Sequence, residues 1–261
     1  MGNRRDYMIQ SIVDICHKMD QKGWVANHDG NISAKFEDRL LSTPTAVAKA
    51  DIVPQIILTL DRDGNKIEGI GKPFSEIKLH LAAYNARPEI TAVVHAHPPF
   101  SMARGLTGGD FQIQIPEAIV SIGDTIPVAP YAFPGAPENN AILTDALSRS
   151  DVVIMAGNGV FSVGRDLKEA YLRMELLEHL LKIDHYARAM GPIQPIPQTD
   201  RQKLLEKRAS IGLGPQNAPT PPNPSTPTPS TPQSSSPTQQ TNQDLIKSLI
   251  ADELKKLLKN Q

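Results

Sequence analysis

The sequence predicts an α/β fold: a three-layer α/β/α domain built on a mixed central sheet, then a disordered linker and a C-terminal amphipathic helix. Three observations carry this expectation. Helical and strand-like periodicities interleave from Tyr7 to Arg188, the pattern of a layered α/β domain. The apolar run Ala92-Val93-Val94 reads as a buried strand and ends in His95-Ala96-His97. Composition changes abruptly near Gly212, where Pro, Ser, Thr, Gln and Asn take over as far as about Gln243. A segment with so few apolar side chains cannot offset the entropy of ordering itself.

The elements follow in order. Tyr7 to Lys22 carries Met8, Ile12, Val13, Ile15, Cys16 and Met19 at helical spacing, and Gly23 is a natural stop. Leu40-Leu41-Ser42 and Ile56 to Leu60 read as strands, the second leading into a turn at Asp61 to Asn65. Ser75 is an N-cap for a helix from Glu76 to about Asn85, closed by Arg87-Pro88 before the histidine strand. Ile126 to Ala129 and Val152 to Met155 are short strands with an amphipathic helix, Asn139 to Ser148, between them. A long helix from Leu167 to about Arg188 completes the pattern, so residues 1–210 are the expected folded domain.

Bulk composition excludes several classes. At 39% hydrophobic and 21% charged residues, 261 residues can bury a real core. A net charge of −1 and 5% aromatics argue against nucleic acid as a partner. No run of about 18 apolar residues is present to form a transmembrane segment, and the start Met1-Gly2-Asn3-Arg4-Arg5-Asp6 lacks the apolar stretch of a secretion signal. The single cysteine, Cys16, excludes an intramolecular disulfide. The expected location is cytoplasmic.

Chemistry concentrates around His95 and His97. Residues two apart on a strand share a face, so two imidazoles about 7 Å apart at the backbone can converge on one cation. The same pair also describes two strand-end histidines bonded to backbone or water, and the motif alone leaves both readings open.

More of the chain bears on the choice. His28-Asp29-Gly30-Asn31-Ile32-Ser33, Ser42-Thr43-Pro44-Thr45, Phe74-Ser75-Glu76, His95-Ala96-His97, Val128-Ala129-Pro130-Tyr131 and Gly157-Asn158-Gly159-Val160 with Gly164 stand in the order and spacing of one family. In these six segments, over roughly residues 5 to 190, the chain resembles the class II aldolase/adducin family. The resemblance implies that family's three-layer fold and, from its enzyme members, a divalent metal, usually zinc. His95 and His97 match the first two metal ligands, and Glu76 matches the acid/base beside the metal. Gly30, Asn31, Thr45 and Ser75 match positions that hold the substrate phosphate. The implied reaction is cleavage of a deoxyketose 1-phosphate, such as L-fuculose 1-phosphate, to dihydroxyacetone phosphate and lactaldehyde. A homotetramer is implied in the same way. Two alternatives come with the family: a sugar-phosphate 4-epimerase, and a non-catalytic adducin-like assembly module.

The chain departs from the pattern at two places. Asn158 stands where the family has its third metal-binding histidine, and an amide oxygen is a harder donor than zinc prefers. Asn158 itself, His28 or Glu76 are the candidates for that position. Phe74 stands where the fuculose-phosphate branch has a serine. Glu117, in Ile115-Pro116-Glu117, reads either as an acid/base or as an ordinary helix-starting Pro-Glu pair.

Residues 211–243 are the expected linker. In residues 244–261, Leu245, Ile246, Leu249, Ile250, Leu254, Leu257 and Leu258 fall on one side of a helix too short to be stable alone. A Pro/Ser/Thr-rich linker ending in such a helix resembles the encapsulation peptides of bacterial microcompartments. That resemblance implies a shell protein as partner and packaging in a microcompartment for fucose or rhamnose breakdown.

Overall fold

The computed structural model describes residues 4–133 and 135–215. The chain divides after Pro219 into two units, and every described residue lies in the first. The amphipathic helix and all but the first five residues of the linker expected from sequence therefore lie outside the described residues.

In chain order the elements are α1 (Arg4–Gln21), β1 (Asn31–Phe36), β2 (Arg39–Ser42), β3 (Leu58–Leu60), β4 (Lys66–Glu68), α2 (Ile77–Ala86), β5 (Ala92–Ala96), α3 (Pro99–Thr107), β6 (Phe111–Gln112), α4 (Pro116–Ile122), β7 (Thr125–Ile126), β8 (Val128–Ala129), α5 (Glu138–Arg149), β9 (Val152–Met155), β10 (Gly159–Gly164), α6 (Leu167–Met190) and α7 (Gln198–Ser210). Eight strands form one sheet in the order β4-β3-β2-β1-β5-β10-β9-β8, and β6 pairs with β7 in a separate ribbon. Among the described strands only β8 and β9 run parallel, so the sheet is mixed.

Alternation along β5 divides the core. Ala92, Val94 and Ala96 pack with buried residues of α1, α4 and α6, while Val93 packs with α2, α5 and Phe161 on the other face. Helices cover both faces, and the three-layer α/β/α architecture predicted from the sequence is present. Because β5 lies between β1 and β10, all five of its residues are buried. Val93 and Val94 each contribute about 1.5–3 kcal/mol through burial. The face shared by Val93 and Phe161 also carries His95.

Several local expectations need correction. Glu76, not Ser75, is the N-cap of α2, and it makes no side-chain cap bond, because its carboxylate is engaged elsewhere. Residues Pro54–Ile56 form a 3-10 turn, leaving Leu58–Leu60 as the strand. Pro127 splits the single strand expected over Ile126 to Ala129 into β7 and β8, as a residue without an N–H must interrupt a ladder. Glu117 lies in the first turn of α4, in the arrangement expected of a Pro-Glu helix start.

No element is expected from the sequence at β1, β4, α3 or β6, nor at β10 and α7. β10 occupies the middle of the sheet, and all six of its residues are buried. α7 packs on α4 with Leu204 and Leu205 partly buried, and two of its arginines are buried anchors. Arg201 donates to the Gln114 side chain at 3.0 Å, and Arg208 donates to Asp151 Oδ2 at 2.6 Å.

Candidate active site

The site is built where the end of β5 meets the start of α2. In register, His95 stands opposite Asn31 on β1 and opposite Phe161 on β10, so all three side chains share one face. Phe161 stacks on the His95 ring, with centroids 4.2 Å apart and planes at 21°. The approach of the two imidazoles depends on Gly159. A Cβ there would lie 2.4 Å from His97 Cδ2 and 3.0 Å from His95 Cε1, and the residue has φ +90°, where glycine alone is at ease. Gly30 is required on the other side, since a Cβ on it would lie 2.8 Å from the His95 carbonyl.

Hydrogen bonds set both rings. His95, 1% exposed, has Nδ1 3.0 Å from the Val160 carbonyl, which can only accept. Nδ1 therefore donates to that carbonyl, which turns Nε2 toward Glu76 and His97. His97 is held by its backbone N–H, which donates to the Trp24 carbonyl at 2.9 Å, and its Nδ1 faces Asp29 Oδ2 at 3.4 Å. The two Nε2 atoms end up 3.3 Å apart.

Glu76 closes the group. Its Oε2 lies 3.3 Å from His95 Nε2 and accepts from Asn31 Nδ2 at 2.9 Å, while Oε1 accepts from Asn158 Nδ2 at 2.9 Å. Burial pushes its carboxyl up, but the neighbouring His95 and the two amide donors outweigh burial and hold it below its ordinary value. His97 is shifted down by burial and by His95, against the pull of Asp29 and Glu76. Behind Glu76, one helical turn on, burial takes His80 down to about 3, so that ring is neutral near pH 7 and bonds Ser33 through Nδ1 at 2.7 Å. Asn31 Oδ1 is buried without a protein partner among the described residues.

The donor set is compatible with a divalent cation. Two nitrogens each ~2.0–2.1 Å from one tetrahedral ion stand about 3.3–3.4 Å apart, matching the Nε2 separation of 3.3 Å. Each ring also has its far nitrogen against an oxygen, which directs the other toward a metal. Among the described residues no three His, Cys, Asp or Glu side chains form a complete metal-holding cluster. The pair thus supplies two donors, with Glu76 Oε2 alongside. Asn158 turns its amide nitrogen toward Glu76, and His28 stands exposed on the cavity wall.

A cavity of about 640 Å³ opens above this group. Seven of the eight residues singled out in the sequence line it: Gly30, Asn31, Thr45, Ser75, Glu76, His97 and Asn158. The eighth, His95, lies beneath them in contact with His97 and Glu76. Fold and helix start thus bring together segments more than 120 residues apart in sequence. Sequence reasoning did not assign roles to Asp29, which faces His97, to the Val160 carbonyl, or to Phe161. Asp29 lies inside a quoted motif and was findable; a backbone carbonyl leaves no trace in a sequence.

Residues 10–185 match the family described as Class II Aldolase and Adducin N-terminal domain. The chain belongs to this family. An L-fuculose phosphate aldolase of Methanococcus vannielii is 30% identical over 179 residues, covering 68% of this chain and 95% of that one. A 5-methylthioribulose-1-phosphate/5-deoxyribulose-1-phosphate aldolase of Escherichia coli is 29% identical over 209 residues, 79% of this chain and 97% of its own. Among solved structures, YgbL of Escherichia coli superposes with a TM-score of 0.70 at 26% identity, over 78% of this chain and all of the other. The L-fuculose-1-phosphate aldolase of Thermus thermophilus has a TM-score of 0.63 at 24% identity, over 74% and 100% of the two chains, a likeness of fold. All six motif segments of this class II aldolase domain lie within the matched residues, and five of them contribute to the cavity lining.

Proposed function

We propose that this class II aldolase domain is an enzyme, an aldehyde-lyase, that cleaves a deoxyketose 1-phosphate such as L-fuculose 1-phosphate to dihydroxyacetone phosphate and lactaldehyde. One observation carries the reading. His95 Nε2 faces both His97 Nε2 and Glu76 Oε2, each at 3.3 Å, at the base of a cavity lined by neutral hydrogen-bond donors. The names of both aldolase relatives support a ketose phosphate as substrate class, and that of the Escherichia coli relative a ketose 1-phosphate.

His95 and His97 would hold a divalent cation, zinc by the nature of two imidazole donors, with Glu76 or Asn158 completing the set. Bound there, the ion supplies Lewis acidity toward the negative charge that develops on the substrate carbonyl oxygen during carbon–carbon cleavage. Glu76 moves the proton. Its carboxylate is ionised near pH 7, oriented at Oε1 by Asn158 and at Oε2 by Asn31, and able to take a proton at Oε2 and return it to the nascent carbon. Gly30, Asn31, Thr45 and Ser75 line the end of the cavity that would take the phosphate, through backbone amides and hydroxyls suited to a dianion. A retro-aldol assay over a panel of ketose 1-phosphates, with chelator and with restored zinc, tests the reading. Cleavage that chelation abolishes and zinc restores is the expected result; no cleavage of any member would overturn it.

The proposal extends to assembly and location. We place a homotetramer, the 211–243 linker and the 244–261 helix in one scheme, in which the helix docks on a microcompartment shell protein. Deleting residues 216–261 should leave cleavage intact and abolish co-sedimentation with shell proteins. Co-sedimentation that survives the deletion ends the packaging idea.

A further inference from the structure

Lys49 is among the largest fully buried side chains, 2% exposed, and no step above uses it. Its Nζ donates to two backbone carbonyls, that of Val47 at 2.9 Å and that of His28 at 3.3 Å. Neither acceptor is a carboxylate; burial disfavours the ammonium, and the Asp29 carboxylate in the His28 to Asn31 loop answers its charge only in part. The two carbonyls belong to two different loops. His28 begins the segment His28 to Asn31, and Val47 ends the segment Pro44 to Val47; His28 to Asn31 and the pair Pro44-Thr45 line the cavity at its proposed phosphate end. The second loop is strained as well as tied, because Ala46, between Thr45 and Val47, has φ +58°. Lys49 thus ties both loops together without itself lining the cavity.

We propose that Lys49 is the positioning residue of the anion end: it clamps the two loops in register and places a buried positive charge behind them, so that a phosphate lying between them is the counter-charge. This rests on the reading of the cavity as a phosphate-ester site. It also explains why that end needs no arginine: among the described lining residues the only Lys or Arg is Lys78, an exposed side chain. The zinc end shares only Asp29 with the clamped loops and is otherwise held by Val160 and Trp24, outside both, so it should follow Lys49 far less than the phosphate end does.

The test compares wild type, Lys49→Met and Lys49→Arg as zinc-loaded full-length chains. Calorimetry reads inorganic phosphate and zinc binding, and steady-state kinetics read KM and kcat for the cleaved ketose phosphate. Losing a charge-assisted pair of bonds should weaken phosphate binding and raise KM by about tenfold or more in Lys49→Met. Arg should restore both to within about threefold, with kcat and zinc affinity nearly unchanged in both variants. Phosphate binding by Lys49→Met equal to wild type overturns the proposal, and so does a parallel loss of zinc and phosphate, which is the mark of general unfolding. If Lys49→Met does not fold, Lys49→Gln against Lys49→Arg makes the same comparison. A wild type that binds phosphate through Lys49 but cleaves no ketose phosphate overturns the aldolase reading and leaves the clamp. Cleavage indifferent to Lys49 does the reverse.

Discussion

Gly159 lies against His97 so closely that the Cβ of any other residue would fall 2.4 Å from the imidazole Cδ2. The backbone at φ +90° adds its own bar to a side chain. Glycine here is what lets β10 run alongside both histidines.

Gly159→Ala should therefore displace His97, and its Cβ would also press to 2.5 Å on the Ala96 carbonyl of the neighbouring strand. We expect zinc affinity to fall by about tenfold to a hundredfold, as for other displaced metal-site contacts, with cleavage falling in step. Zinc titration of the purified variant decides it; wild-type affinity would show that the rings tolerate the contact.

Glu76→Gln keeps the shape but removes the proton acceptor, and one of the two neighbouring amides must turn its oxygen to the new NH₂. Cleavage should drop by about 10²–10⁴-fold, with the thermal midpoint close to wild type. Retained turnover would move the acid/base role to another residue.

Asp151 is fully buried and accepts from Arg87 at 2.7 Å and Arg208 at 2.6 Å, with Arg173 at 3.2 Å. Burial raises its carboxyl, yet the three guanidiniums prevail and hold it below its ordinary value. A depressed folded-state pKa adds stability that is complete above the unfolded value of about 3.9 and is lost as pH falls through the folded one. Urea midpoints should be flat from neutral pH to about 5 as far as this group is concerned, then decline below about 4. Asp151→Asn removes the buried charge the three guanidiniums share, leaving Arg208 on carbonyls alone and Arg87 and Arg173 with Glu89 and Glu169, and should cost about 3–5 kcal/mol at pH 7, with a shallower acid decline. A variant as stable as wild type would mean the cluster is electrostatically idle.

Ala46 is exposed and sits at φ +58°, a conformation that costs a non-glycine residue about 1–2 kcal/mol. Glycine relieves that strain but adds unfolded-chain entropy, so Ala46→Gly should gain about 0.5–1 kcal/mol. Equilibrium unfolding in urea measures the change, and a lower midpoint would contradict the strain.

Much of the site was legible because its signals are local. Two histidines two apart on an apolar run share a face by the geometry of a strand, and Glu76 stands at a helix start visible from its flanking residues. What escaped was written in other terms. β10 reads Gly-Val-Phe-Ser-Val-Gly, buried on both faces and bounded by glycines, so it shows no alternation. α7 reads as a solvated polar helix because its anchors, Arg201 and Arg208, are buried through ion pairs and carbonyls, contrary to the usual exposure of arginine.

The amino-acid order alone determined the α/β class, the histidine pair on one strand face, the family, and the boundary where apolar residues cease. Tertiary structure decided which nitrogen of each imidazole is free, because the Val160 carbonyl and the Asp29 carboxylate that set the rings arrive from distant segments. It also decided that Asn158 orients Glu76. A hydrogen bond between residues 82 positions apart depends on how the sheet orders its strands, and strand order is a property of the whole packed core rather than of any local stretch.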